Sequence, residues 1–307
     1  MSQLSSFLKA AGKEILIFLK VGVVACTIFY LIPMTIYAYT QGGVTSSSMN
    51  TYTLTNGQKT VVFQSMSHIG LRSFYKEVGE EMTDYRNKGY RILLEGLGST
   101  GYKPLRKGDV GYEEAVAKYN SYYDINKRIL DNMDNESVYK NSKYTYQRIE
   151  FSRYIAYDDE YADISYSTLF DLADKKAKEN NISKKALDSY KEMDLSYSSS
   201  TASLLNNEML YIYMQNLRDY PLFTFIDKYV LPLAKKIFPE QSLTRDISIN
   251  ARDKNLVKHI LDEPENFIYL TYGSLHFEGV FDNLKAIDAN WKIVSTTQKV
   301  VFGGSGH

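Results

Sequence analysis

Residues 21–39 read VGVVACTIFYLIPMTIYAY, nineteen positions without a charge. At about 1.5 Å per residue, a helix over this run nearly crosses a hydrocarbon layer of roughly 30 Å. The apolar stretch continues upstream to Ile15, interrupted by Lys20, whose long side chain can reach the interface. Pro33 would break a helix in water but is tolerated in lipid. Lys9, Lys13 and Lys20 precede the run, and no Lys or Arg follows until Lys59. The positive-inside rule therefore predicts a cytoplasmic segment at 1–14, a single membrane span at 15–39, and the rest of the chain outside the cytoplasm. The run is long for a cleaved signal peptide, and no convincing small-x-small cleavage site ends it.

Composition narrows what the remainder can do. The 36 basic residues equal the 36 acidic ones, so the basic excess that phosphate contacts need is missing and a nucleic-acid partner is not expected. The one cysteine, Cys26, lies inside the predicted span. No disulfide framework or multi-cysteine metal site can be built, and an outer domain without thiols suits an oxidising space. Four histidines remain: 68, 259, 276 and 307. His307 ends the run GGSGH (303–307), which reads as a linker into a tag remnant. His259 falls near the end of a predicted helix at 247–261, where a cation favours the helix dipole, and is read as structural.

Residues 40–50 form a Gly/Ser-rich linker, followed by an outer domain at 51–302. Its opening, TYTLT-NG-QKTVVF, predicts a hairpin turning at Asn56-Gly57. Phe74, Val78, Met82 and Tyr85 recur at helical spacing, predicting a helix at about 71–86. Gly89 ends it, and YRILLEG predicts a buried strand closing on Glu95. The middle predicts helices at about 111–132, 144–157, 166–180, 184–194, 200–218 and 222–237. Its many tyrosines are read as packing faces. Then NFIYLTYGSLH gives a strand and turn, 279–288 a helix, and NWKIVSTTQKVVF a final strand or pair.

The two ends share one layout. VVFQSMSH and YLTYGSLH are each strand, turn, histidine, followed by a helix and a strand. The expected fold is an α/β (α+β) domain: two β-α-β half-repeats in one central sheet, split by a large helical insertion, behind a transmembrane helix. Two such units place His68 and His276 beyond the carboxyl ends of their strands, where α/β proteins build sites. Glu95 ends a strand at the same edge. Two imidazoles and a carboxylate could hold a divalent metal with positions left open for water. A surface or satisfied core role for each histidine, and a surface charge for Glu95, remain the plain alternatives.

At these residues the chain resembles the TraB/PrgY/Tiki family, within a wider group of erythromycin-esterase-like and ChaN-like proteins. The elements are SMSH (65–68), LLEG (93–96), YADISYS with Asp163, NARD (250–253) and GSLHFEG (273–279). The likeness spans roughly residues 58–300, loosely through the helical middle. The first motif departs from the family pattern, with Ser65 where the family has Gly. The resemblance implies a metal-dependent, peptidase-like hydrolase using Mn, Co or Zn, with His68, Glu95 and His276 at the metal. Glu95 could instead act as general base, and Arg252 could hold a substrate carboxylate or an oxyanion, or form a salt bridge to Asp163 or Asp253. Asp163 could orient a ligand histidine. The expected partners are a peptide or protein substrate and the membrane lipid around 15–39. Self-association or a membrane complex is also expected from Gly22 and Cys26, four apart in the span. Bacterial pheromone-shutdown members imply an alternative, a non-catalytic protein that sequesters a peptide or regulates a membrane complex.

Overall fold

The computed structural model describes residues 47–96, 104–137, 140, 143–179, 187–188 and 249–303. The predicted span and the helices at 200–218 and 222–237 lie outside these residues, as does nearly all of 184–194. Among the described residues, no helix is long and apolar enough to cross a membrane.

The hairpin forms where Asn56-Gly57 predicts it. Strand β1 (Ser47–Thr55) and β2 (Thr60–Met66) pair antiparallel, with Thr55 opposite Thr60. The Asn56 side chain accepts from the N–H groups of Gln58 and Lys59, and Gly57 takes φ 91°. A Cβ at Gly57 would meet nothing, so only backbone strain opposes Gly57→Ala. That substitution is expected to cost about 1 kcal/mol, read as a small drop in denaturation midpoint at unchanged m-value. β1 starts inside the stretch read as linker, because residues 47–50 find a partner strand at the far end of the domain.

A short strand β3 (Ile69–Leu71) leads into α1 (Arg72–Asn87), which buries Phe74, Tyr75, Val78 and Met82. Gly89, at φ 83°, turns the chain into β4 (Arg91–Leu94). The helix read at 111–132 is two helices, α2 (Tyr112–Ser121) and α3 (Tyr123–Glu136). The segment read as a helix from 144 opens as strand β5 (Tyr144–Tyr146), because β3 offers it an edge to pair with. One turn of α4 (Gln147–Glu150) and a 3₁₀ turn follow. Then come β6 (Glu160–Tyr161) and α5 (Tyr166–Glu179). After the insertion the order is α6 (Arg252–Asp262), β7 (Phe267–Gly273), a 3₁₀ turn at Ser274–His276, α7 (Phe277–Ile287) and β8 (Lys292–Phe302).

The main sheet is mixed, in the order β6-β4-β7-β2-β1-β8. Strands β6, β4, β7 and β2 are parallel, and β1 runs antiparallel to both β2 and β8. From β2 the chain crosses through α1 to β4, and from β7 it crosses through α7 to β8. Alternate strand residues face opposite layers, as a pleated sheet requires. Val62, Met66, Ile92, Leu94 and Tyr269 pack on α1. Val61, Phe63, Leu93, Ile268, Leu270 and Tyr272 pack against α6 and α7. Connections leaving β2 and β7 therefore run in opposite directions on opposite faces. The carboxyl edge of the parallel strands is where an α/β sheet gathers side chains into sites.

The final strand ends at Phe302, the last residue of the outer domain read from sequence, but the packing continues one residue further. Gly303, assigned to the terminal linker, is buried and donates its N–H to the Tyr144 hydroxyl at 3.3 Å.

Candidate functional site

Four elements bring side chains to that carboxyl edge. Glu95 follows β4, and its N–H bonds the Thr271 carbonyl on β7 at 3.0 Å, which extends the ladder and fixes the side chain beside the end of β7. There Glu95 Oε2 accepts from the Gly273 N–H at 2.7 Å. A Cβ on Gly273 would stand 3.2 Å from the same oxygen, so the first position of GSLH is small because the carboxylate passes over it.

His276, at the end of the 3₁₀ turn, is buried, and its Nδ1 lies 2.6 Å from Asp253 Oδ1. With Asp253 ionised, Nδ1 is the donor of this bond, and in the neutral ring Nε2 is then the acceptor. That nitrogen faces Glu95 Oε1 at 3.9 Å, too far for a hydrogen bond. Asp253 thus does for His276 what the sequence reading assigned to Asp163. Its carboxylate reaches the ring because Gly279, one turn into α7, has no side chain. A Cβ there would lie 1.9 Å from Asp253 Oδ2.

Asp163 instead holds Arg252. The guanidinium donates from Nε to Asp163 Oδ1 at 2.9 Å and from Nη2 to Asp163 Oδ2 at 2.6 Å. The same Nη2 reaches Glu95 Oε1 at 2.5 Å. Asp163 is itself fixed by the N–H groups of Ile164 and Gly96, and the Arg252 guanidinium lies 5.3 Å above the Tyr272 ring. With Asp163 and Glu95 as partners, Arg252 takes the salt-bridge role foreseen for it. Its Nε and Nη2 are committed to them rather than to a substrate carboxylate.

The electrostatics follow from this arrangement. Burial alone would raise the Glu95 carboxyl, but the charge of Arg252, with smaller effects of His68 and His276, holds it down to about 2. Arg252 is pushed above its ordinary value, its carboxylate partners outweighing burial. Burial raises the Asp253 carboxyl despite the opposing hydrogen bond from His276. Two buried or nearly buried carboxylates thus share one guanidinium, and the third, Asp253, is paired with His276.

Whether the residues suit a divalent metal is a matter of donor chemistry. An imidazole tied at Nδ1 to a carboxylate, with Nε2 turned inward, is the usual presentation of a ligand histidine. Bonds of about 2.0–2.2 Å from one ion span the distance between His276 Nε2 and Glu95 Oε1. His68 stands on the exposed rim of the same edge, close enough to act on the Glu95 charge. Among the described residues, no three His, Cys, Asp or Glu side chains form a complete ligand group. The set fits in kind, with two donors facing each other and the third at the rim.

Ser65, the departure in the first motif, is buried beside Tyr272 in the register of β2 and β7, while Met66 lies opposite Gly273. The two motifs are therefore one residue out of step across the sheet. His259 lies in the last turn of α6, 3.8 Å from Glu160, away from the site. Sequence reading missed the roles of Asp253 and Gly279. The signal was there: consecutive residues on one helix project about 100° apart, so Arg252 and Asp253 had to serve different neighbours.

No protein-family model matches the chain, and no curated protein or solved structure matches it.

Proposed function

We propose that this protein is a membrane-anchored, metal-dependent hydrolase of the TraB/PrgY/Tiki type, peptidase-like, acting on a peptide or protein outside the cytoplasm. The observation that carries the reading is the Asp253–His276 pair, with Nε2 facing Glu95 at the carboxyl edge where β4 and β7 end. Held by His68, Glu95 and His276, a divalent ion of the Mn, Co or Zn kind would polarise a substrate carbonyl and acidify a bound water. The chain's own residues do the rest. Asp253 keeps the proton of His276 on Nδ1, leaving Nε2 as a donor of electrons. Arg252 keeps Glu95 ionised, the state in which a carboxylate can bind a cation. Asp163 holds Arg252 so that its charge stays at the reacting centre.

The test is metal content and peptide hydrolysis of the detergent-purified full chain, beside His68→Ala, His276→Ala and Asp253→Asn. Wild type is expected to carry stoichiometric metal, and both histidine variants to lose it. Asp253→Asn, which removes an orienting carboxylate, is expected to weaken metal affinity 10–100-fold. Metal retained at full stoichiometry in both histidine variants overturns the site. Peptide bound tightly and recovered intact with metal present overturns the hydrolytic part in favour of sequestration.

A further inference from the structure

The direction of β1 fixes where the chain enters the domain. β2 runs toward the site, and β1 is antiparallel to it, with Thr51 opposite Gln64 and Thr55 opposite Thr60. Continued by the same register, Met49 stands beside Met66, and Ser47 lies past the end of β2, at the level of His68. The other neighbour agrees, since Ser47 pairs with Phe302 and Ser48 with Val300 at the carboxyl end of β8. The residue that follows the linker is therefore at the same sheet edge as Glu95, Gly273 and His276. The Asn56-Gly57 turn marks the opposite edge, a nine-residue strand away, or roughly 30 Å.

Between the apolar run and Ser47 lie residues 40–46. Fully extended, these seven residues reach roughly 25 Å. A tether this short, attached at the site edge, holds that edge near its anchor and leaves the opposite edge outermost. We infer that the site faces the bilayer, and that its substrate is a polypeptide segment lying at the membrane surface, such as the juxtamembrane stretch of a protein held in the same bilayer. This inference rests on the membrane anchor of the proposed function, and adds to it the orientation and the substrate class.

The experiment uses the full chain with Cys26→Ser, which removes the only cysteine. Single cysteines are introduced by Leu275→Cys or Val300→Cys at the site edge, and by Gln58→Cys at the opposite edge; all three positions are exposed. Each variant is labelled with a fluorescent donor and reconstituted in phosphatidylcholine vesicles carrying a headgroup-labelled acceptor lipid. Energy transfer is expected to be at least twofold stronger from both site-edge positions than from Gln58→Cys. Replacing residues 40–46 by a flexible Gly/Ser spacer of about 30 residues is expected to abolish the difference. Two site-edge probes guard against either substitution disturbing its own surroundings. Protein that floats with the vesicles but transfers equally, or more strongly from Gln58→Cys, overturns the orientation and leaves the anchor standing. Protein that does not float with the vesicles overturns the anchor, and the orientation with it.

Discussion

Arg252→Gln is expected to lower stability by about 3–5 kcal/mol, as breaking a buried ion pair from one side does. The removed guanidinium is the shared partner of Asp163, whose side chain is fully buried, and of Glu95, which is nearly so. Stripped of it, both carboxylates keep their N–H donors but lose their ion-pair partner, and Glu95 loses the charge that holds its carboxyl down. Arg252→Lys keeps the charge but loses the planar fork that bonds Asp163 through two nitrogens, so it should recover only part of the loss. In wild type the Glu95 carboxyl is held at about 2, below its ordinary value of 4.5. Its contribution is complete above pH 4.5 and is lost as pH falls toward 2. In Arg252→Gln that window closes, and the acid-unfolding midpoint should move upward. Denaturant unfolding across this pH range gives both readings. An unfolding free energy within about 0.5 kcal/mol of wild type would show that the two carboxylates do not depend on Arg252. Added divalent metal should restore part of the lost stability to Arg252→Gln, because a bound cation supplies the missing charge by mass action.

Gly279→Ala should also destabilise, by about 1–3 kcal/mol, against the ordinary rule. Inside an exposed helix, alanine is favoured over glycine by about 1 kcal/mol. Here the new methyl would sit 1.9 Å from Asp253 Oδ2 and 2.8 Å from its carboxyl carbon. Neither α6 nor α7 can retreat cheaply, since Leu256, Val257, Ile260, Val280 and Leu284 are packed between them and the sheet. The carboxylate must swing away from His276, so the imidazole loses the partner that fixes its tautomer. Thermal unfolding should show the loss of stability, and the NMR signal of the His276 Nδ1 proton should disappear. Unchanged stability with that signal retained would mean Asp253 has another place to go.

The local parts of this molecule are legible in the sequence because local physics dictates them. Asn56-Gly57 prescribes a turn, and the spacing of Phe74, Val78 and Met82 prescribes the buried face of α1. The two histidine turns sit where the strand–turn–helix layout puts them. What sequence reading misplaced depends on neighbours it could not supply. Tyr144–Tyr146 form a strand only because Ile69–Leu71 presents an edge. Residues 47–50 look like linker until β8 arrives to pair with them. The resemblance offered Asp163 as the residue that orients a ligand histidine, but at His276 that place is taken by Asp253. Asp253 is nearer only once α6 has been laid against α7. The second half of the layout holds in order but not in placement, since β8 takes the far edge of the sheet beside β1 rather than a position next to β7.

The pairing of β2 with β7 also sets an order of events for the nascent chain. β1 and β2 can close as a hairpin as soon as they leave the ribosome, but the other side of β2 has no partner until Phe267–Gly273 has been made. Everything between, the helical insertion included, is synthesised while that strand waits. The loop to be closed is therefore long, its entropy is lost before any contact repays it, and such non-local parallel pairings form slowly. His68 and Glu95 are laid down early, Arg252 and His276 late. Until the last strands join, β1–β2 and β4–β6 are separate pairs with unpaired edges, and Arg252 and His276 are not yet beside Glu95.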